Sequence, residues 1–126
     1  AYVFSQKITL RFTYVIRLKK YVKNFNTEFS FHLGMTCLFC MNALADVVGA
    51  DVIKRLFLPT IKTLSTDQVA NVRFNVAKTL QKISPFLDAP TIDAELKPIL
   101  EQLNTDADVD VKYFASEAIS AIPASA

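Results

Sequence analysis

The chain matches itself, without a gap, when it is shifted by 39 residues. Under that shift Pro59 meets Pro98, Leu64 meets Leu103, Thr66 meets Thr105 and Asp67 meets Asp106. Farther on, Val72 meets Val111 and Ile83 meets Ile122. The conservative pairs agree: Ile61 with Leu100, Arg73 with Lys112, Phe74 with Tyr113, Leu80 with Ile119. A chain that repeats over this distance builds one supersecondary unit twice. Each unit leaves an apolar face for its neighbour to cover.

The periodicity within the unit is helical. Leu38, Met41, Leu44, Ala45 and Val48 fall on one stripe of a helix over residues 36–48, with Gly49 as its C-terminal cap. Asp51 is placed to cap a second helix to Leu64, which Pro59 should kink. Ser65-Thr66-Asp67-Gln68 reads as a turn. A helix from about Val69 to Leu87 follows, with Val72, Val76, Leu80 and Ile83 on one side. Asp88-Ala89-Pro90 ends the unit. Thr91 is placed to cap a helix to Leu103, with Asp93 and Glu95 in its positive first turn. A last helix runs from Asp108 to Ile122. The expectation is an all-α superhelix of the HEAT or armadillo kind: five helices and no sheet over residues 36–122. Full repeats span about 51–87 and 91–122, and residues 36–48 supply the second helix of an earlier unit. Val72, Val76, Leu80, Val111, Ala115 and Ile119 are the expected core. Within each turn an acid should pair with a base one turn on: Asp67 with Arg73, Asp106 with Lys112.

Residues 1–34 depart from this pattern. Ile8, Leu10, Phe12, Tyr14, Ile16 and Leu18 alternate with Thr9, Arg11, Thr13, Val15 and Arg17, a strand periodicity. The segment is basic: six Lys and Arg against Glu28 give +5, so the rest of the chain carries −3 of the net +2. Such an arm can touch nucleic acid or anionic lipid, but its charges are spread rather than clustered, and a solvated face is preferred. The chain is therefore read as a divergent segment, 1–34, followed by a solenoid, 35–126. No run of about eighteen uncharged apolar residues is seen, so no membrane span is expected. The start at Ala1 without Met suggests a fragment or a processed product.

Candidate chemistry is sparse. The two cysteines, Cys37 and Cys40, form a CxxC on an apolar helix, where Cys behaves as a small hydrophobe. Zinc would need two further ligands, and only His32 lies near. His32 itself has no Ser, Cys or carboxylate spaced to make a catalytic set, and reads as a loop or surface residue. Asp106, Asp108 and Asp110 lack the Gly and closing Glu of a calcium loop and read as a helix N-terminus. With 2 Gly, no phosphate loop can form. No cofactor, no metal and no catalytic residue is assigned, and the chain is read as not an enzyme. Two cysteines make no disulfide framework, which favours a cytoplasmic setting, with the nucleus as a second compartment.

Several words in the sequence are more specific than the generic pattern: TCLFCMNAL (36–44), LPTIKTL (58–64), VANVRFNVAKTLQKI (69–83), LKPILEQL (96–103) and DADVDVKYFASEAI (106–119). With them the chain resembles the C-terminal repeats of the scaffolding A subunits of protein phosphatase 2A. That resemblance implies a horseshoe of stacked HEAT repeats, whose last repeats hold the catalytic subunit, with a B-type regulatory subunit on the earlier ones. LKKYVKNF (18–25) is similar to part of a preceding repeat. A first helix and its turn are then missing between it and residue 36.

The turns line up on one ridge when repeats stack, and a ridge of loops is a natural docking surface. The expected partner-binding residues are Asp67, Gln68, Val69, Ala70, Asn71 and Arg73 in one turn, and Asp106, Asp108, Val109, Asp110, Lys112 and Tyr113 in the next. The other reading of these residues is caps and solvated loop. Val69, Val109 and Tyr113 as exposed apolar groups, and the resemblance, favour binding. The expected partner is a serine/threonine phosphatase catalytic subunit. A generic HEAT adaptor for other protein or nucleic-acid-associated cargo is the alternative.

Overall fold

The computed structural model describes residues 27–123, together with Gln6, Lys7, Leu10, Arg11, Thr13 and Tyr14. The described residues form helices and turns, with no strand among them. The alternating stretch is therefore not a strand where it is described: Leu10, Arg11, Thr13 and Tyr14 are helical. The rest of it, and the LKKYVKNF word, lie outside the described residues.

Helix α1 spans Thr27–Val52 and is broken at Gly49, whose backbone sits at φ 82° and ψ 169°. This is the only positive φ among the described residues. A residue without Cβ adopts it at little cost, so Gly49 ends the long segment as expected. The segment begins earlier than residue 36, however. His32 lies on its exposed surface rather than in a loop, and Thr36 Oγ1 donates to the His32 carbonyl at 2.7 Å.

After the break, a π-helical turn, Ile53–Phe57, leads into α2, Leu58–Leu64. Helix α3 is Ala70–Ile83, closed by a 3₁₀ turn at Ser84–Phe86. The second unit opens with a turn at Ala89–Thr91 and a π turn at Ile92–Leu96, then α4, Lys97–Leu103, and α5, Val109–Ala121. The π turn, the helix after it and the start of the second helix each recur 39 residues on. The prolines explain the π turns. Pro59 and Pro98 have no N–H to donate, and their rings crowd the preceding turn. Each falls at the start of α2 or α4, just past a widened turn that relieves the clash. The kink expected at Pro59 takes this form.

Thr91 does not cap its helix. The helix begins at Ala89, so Thr91 lies inside it, and its hydroxyl donates to Asp88 Oδ1 at 2.6 Å. Asp51 pairs with Arg55 at 3.2 Å, one turn on.

The core is a layer of second helices, α1, α3 and α5, backed by the first helices. Leu38, Met41, Val72, Val76, Leu80, Val111 and Ala115 have no exposed surface. Ile119, an expected core residue, is 39% exposed, and Ala118 is buried in its place. The reason is position. Helix α3 is packed by α1 on one side and α5 on the other, whereas α5 packs on α3 and α4. The position matching Leu80 thus has no following helix among the described residues.

The stretch Phe31–Leu64 is long and apolar enough to cross a bilayer, with an 18-residue window of mean hydropathy 1.6. The run is longer and more apolar than the sequence reading allowed, and length and composition are all that this shows. Cys37, Leu38, Met41 and Ala45 within it are buried against the rest of the fold, and the helix is broken at Gly49.

Candidate functional site, the ridge of turns

The two turns are built by the same local device. Asp67 Oδ1 accepts from the N–H of Val69 at 3.0 Å, and Asp106 Oδ1 accepts from the N–H of Asp108 at 2.9 Å. An Asp two residues before an N–H closes a turn, and backbone bonds from Asp67 N to the Leu64 carbonyl and from Asp106 N to the Leu103 carbonyl, each 3.1 Å, add to it. Asp108 then caps α5, accepting from Asp110 N and Val111 N at 2.9 and 3.1 Å. In the first unit Val69 holds the cap position and offers no side-chain bond. The helix start there relies on other groups.

Arg73 is the centre of the arrangement. Its Nε and Nη2 grip Asp106 at 2.7 and 3.0 Å, a two-pronged contact with the next turn. Its Nη1 donates to the carbonyls of Asp67 and Gln68 at 2.8 and 3.0 Å. One side chain therefore closes its own turn and locks it to its neighbour. The two side chains are only 18% and 13% exposed. The contact pulls Asp106 below the ordinary carboxylate range and raises Arg73, the mutual hydrogen bond being the main cause in each. Burial opposes both shifts.

This corrects the pairing expected from the sequence. Arg73 grips Asp106 of the following repeat and meets Asp67 chiefly through its backbone carbonyl. Lys112 is exposed and acts on Asp106 only through space. The spacing along the chain could not distinguish a pair within a turn from a pair between turns, because stacking brings residues 33 apart together.

The expected ridge residues divide by exposure. Gln68, Asn71, Val109, Asp110, Lys112 and Tyr113 are exposed. Asp67, Val69, Ala70, Arg73, Asp106 and Asp108 are half-buried. Val69, expected to be exposed, packs against the core instead. Tyr113 is 58% exposed and Val109 68%, so Tyr113 does not share the half-buried place of its repeat mate Phe74. Tyr113 meets Phe114 edge-on with centroids 5.2 Å apart. Phe114 in turn stacks on Phe74 at 5.3 Å and carries the Lys78 ammonium 5.0 Å from its ring centre. The aromatic contact across α3 and α5 therefore runs through Phe114, which the repeat comparison did not single out. It was missed because its mate under the shift is Asn75.

Away from the ridge, a groove of about 520 Å³ is lined by Lys54, Leu58, Pro59, Lys62, Pro90, Thr91, Ala94 and Glu95. No ridge residue lines it. Neither Cys37 nor Cys40 is in a disulfide; Cys37 is buried and Cys40 half-buried. Among the described residues, no group of three or more His, Cys, Asp or Glu could hold a metal ion.

The HEAT repeat family profile matches residues 57–87, from the first π turn to the end of the first unit. The chain is 70% identical over 61 residues to the serine/threonine-protein phosphatase PP2A 65 kDa regulatory subunit of Drosophila melanogaster, covering 48% of this chain and 10% of that protein. It is 63% identical over 54 residues to the beta isoform of the A-type 65 kDa regulatory subunit of serine/threonine-protein phosphatase 2A from Homo sapiens, covering 43% of this chain and 9% of that one. It is 42% identical over 91 residues to the A-type regulatory subunit of protein phosphatase PP2A from Saccharomyces cerevisiae, covering 68% and 14%. The chain thus spans about a tenth of the length of the first two. With the recurring helix pairs, these matches establish that the chain carries a HEAT-repeat segment of the kind found in the 65 kDa A-type regulatory subunits of protein phosphatase 2A.

Proposed function

We propose that this chain is a non-catalytic scaffold segment whose ridge of turns contacts the catalytic subunit of a 2A-type serine/threonine phosphatase. The observation that carries this reading is the Arg73 clamp. It fixes the two turns side by side and leaves Asn71, Val109, Asp110 and Tyr113 exposed. Rigid loops on a helical scaffold suit positioning a partner. The relatives' names speak of a regulatory subunit of a phosphatase. The catalytic metals belong to the partner, and a B-type regulatory subunit is a further partner of a longer protein. The working compartment is the cytoplasm, and the nucleus with it. Exposed Tyr113 is the best anchor, because aromatic side chains dominate interface hot spots.

The test is a double charge change at the turns, Asn71→Lys with Asp110→Lys. Helicity should persist, and stability should fall by only about 1 kcal/mol, since both are exposed, although each change sets a cation in a helix first turn and Asn71→Lys also removes the acceptor of the 3.0 Å bond from Asn75. Affinity for the purified catalytic subunit, by calorimetry, should fall at least about tenfold. Unchanged affinity would mean the contact lies elsewhere. Capture of nucleic acid in place of the phosphatase would support the adaptor reading.

A further inference from the structure

The charges on the ridge do not balance. Asp67, Asp106 and Asp108 all lie close enough to Arg73 to act on its charge. Three carboxylates thus surround one guanidinium, which spends its hydrogen bonds on Asp106 and two backbone carbonyls. Asp110 adds a further exposed carboxylate one step on, and Glu117 another, two turns along α5. The exposed cations nearby are Lys112 and, from α3, Lys78, whose ammonium lies 5.0 Å from the Phe114 ring centre, so the five carboxylates still outnumber the three cations that include Arg73. The imbalance is graded, because the exposed positions of the first turn, Gln68 and Asn71, are neutral. Beside the acids of α5 stand the exposed side chains of Val109 and Tyr113, four residues apart and so on one face of the helix.

We infer that this unpartnered face of α5 receives a basic segment of the partner, with an apolar side chain set over Val109 and Tyr113 and cations against Asp110 and Glu117. The inference rests on the proposed function and adds the sign of the partner's surface. Complementary charge steers encounter and rejects like-charged partners, while the apolar contact supplies the anchor.

The sign is tested by opposite changes at one position. Asn71 lies in the first turn of α3, and its Oδ1 accepts from Asn75 Nδ2 at 3.0 Å. Asn71→Asp keeps that acceptor and suits the helix N-terminus. Binding of the purified catalytic subunit is measured for the parent chain, Asn71→Asp, Asn71→Lys and Asp110→Lys at low and high salt. The expected result is that Asn71→Asp binds roughly three- to fivefold tighter, that both lysine variants bind more weakly, and that the differences shrink in salt. Asn71→Asp binding no tighter than the parent, or Asp110→Lys binding as well as the parent, overturns the inference and leaves the proposed function standing. A parent chain that does not bind overturns both. Circular dichroism of each variant separates lost binding from lost fold.

Discussion

Arg73 should be the most costly polar residue of the chain to remove. In Arg73→Ala, Asp106 loses two charge-assisted bonds at 2.7 and 3.0 Å, and the carbonyls of Asp67 and Gln68 lose theirs. An exposed ion pair is worth under about 1 kcal/mol. Breaking a fully buried one costs roughly 3–5 kcal/mol. With exposures of 18% and 13% the pair lies between these limits. Asp106 also keeps one donor, the Asp108 N–H, at 2.9 Å. The expected loss is about 2–3 kcal/mol, read as a lower urea midpoint by circular dichroism at neutral pH. Arg73→Lys should recover only part of it, because an ammonium cannot fork across both carboxylate oxygens. Acid supplies a second readout. Asp106 is held below its ordinary value, so the pair's stabilisation is present above the unfolded pKa and fades as pH falls through the lowered one. The gap between parent and Arg73→Ala should therefore narrow towards low pH. A loss below about 0.5 kcal/mol at neutral pH would refute the clamp. A gap that does not narrow in acid would assign the loss to the Arg stem and its bonds to the Asp67 and Gln68 carbonyls instead.

Leu80→Ala should cost about 2–5 kcal/mol, because Leu80 has no exposed surface. Ile119→Ala, at the matching position of α5, should cost less than half as much, because Ile119 is 39% exposed, and equal losses in urea melts would contradict that exposure. Gly49→Ala should destabilise by roughly 1 kcal/mol or more; nothing lies within 4 Å of the added Cβ, so the cost is purely that of φ 82°. A thermal melt unchanged by Gly49→Ala would show the break to be free to relax. Asp88 is held at about 2 by its bonds from Lys54 and Thr91, below an ordinary 3.8. Its contribution should be full above pH 3.8 and vanish as pH falls towards 2, so Asp88→Asn should flatten stability against pH in that window.

The repeat was legible because helical stacking needs apolar residues at fixed offsets, and 39 residues return the chain to the same place in the next unit. Val72, Val76 and Leu80 could be read for that reason. What could not be read is anything that depends on which neighbour is present. Leu80 and Ile119 are equivalent along the chain, yet one is sealed and the other 39% exposed, since among the described residues α3 has a second helix on each side and α5 on one. The Arg73 pairing failed likewise: a base one turn past an acid looks local, and only stacking reveals the nearer acid in the next turn. Phe114 shows a third limit. It meets Phe74 across α3 and α5 because of the rotation of each helix, which a pattern of identities does not encode.

The same bond that holds the repeats together also sets the surface they offer. Between α1 and α3 the contact is a buried apolar layer with polar links added: Asn42 Nδ2 donates to the buried Thr79 hydroxyl at 2.9 Å, and Asn75 approaches the sulfur of Met35 at 3.8 Å. Between α3 and α5 it is aromatic within the stack and ionic at the turns. A change in the stacking angle of these two helices would alter the Arg73–Asp106 contact directly, since both ends of the bond lie at the ridge. The ridge can therefore flex only by weakening the clamp. On the proposed function, a partner seated across both turns would bind a geometry that the scaffold already holds, leaving little ordering to oppose association.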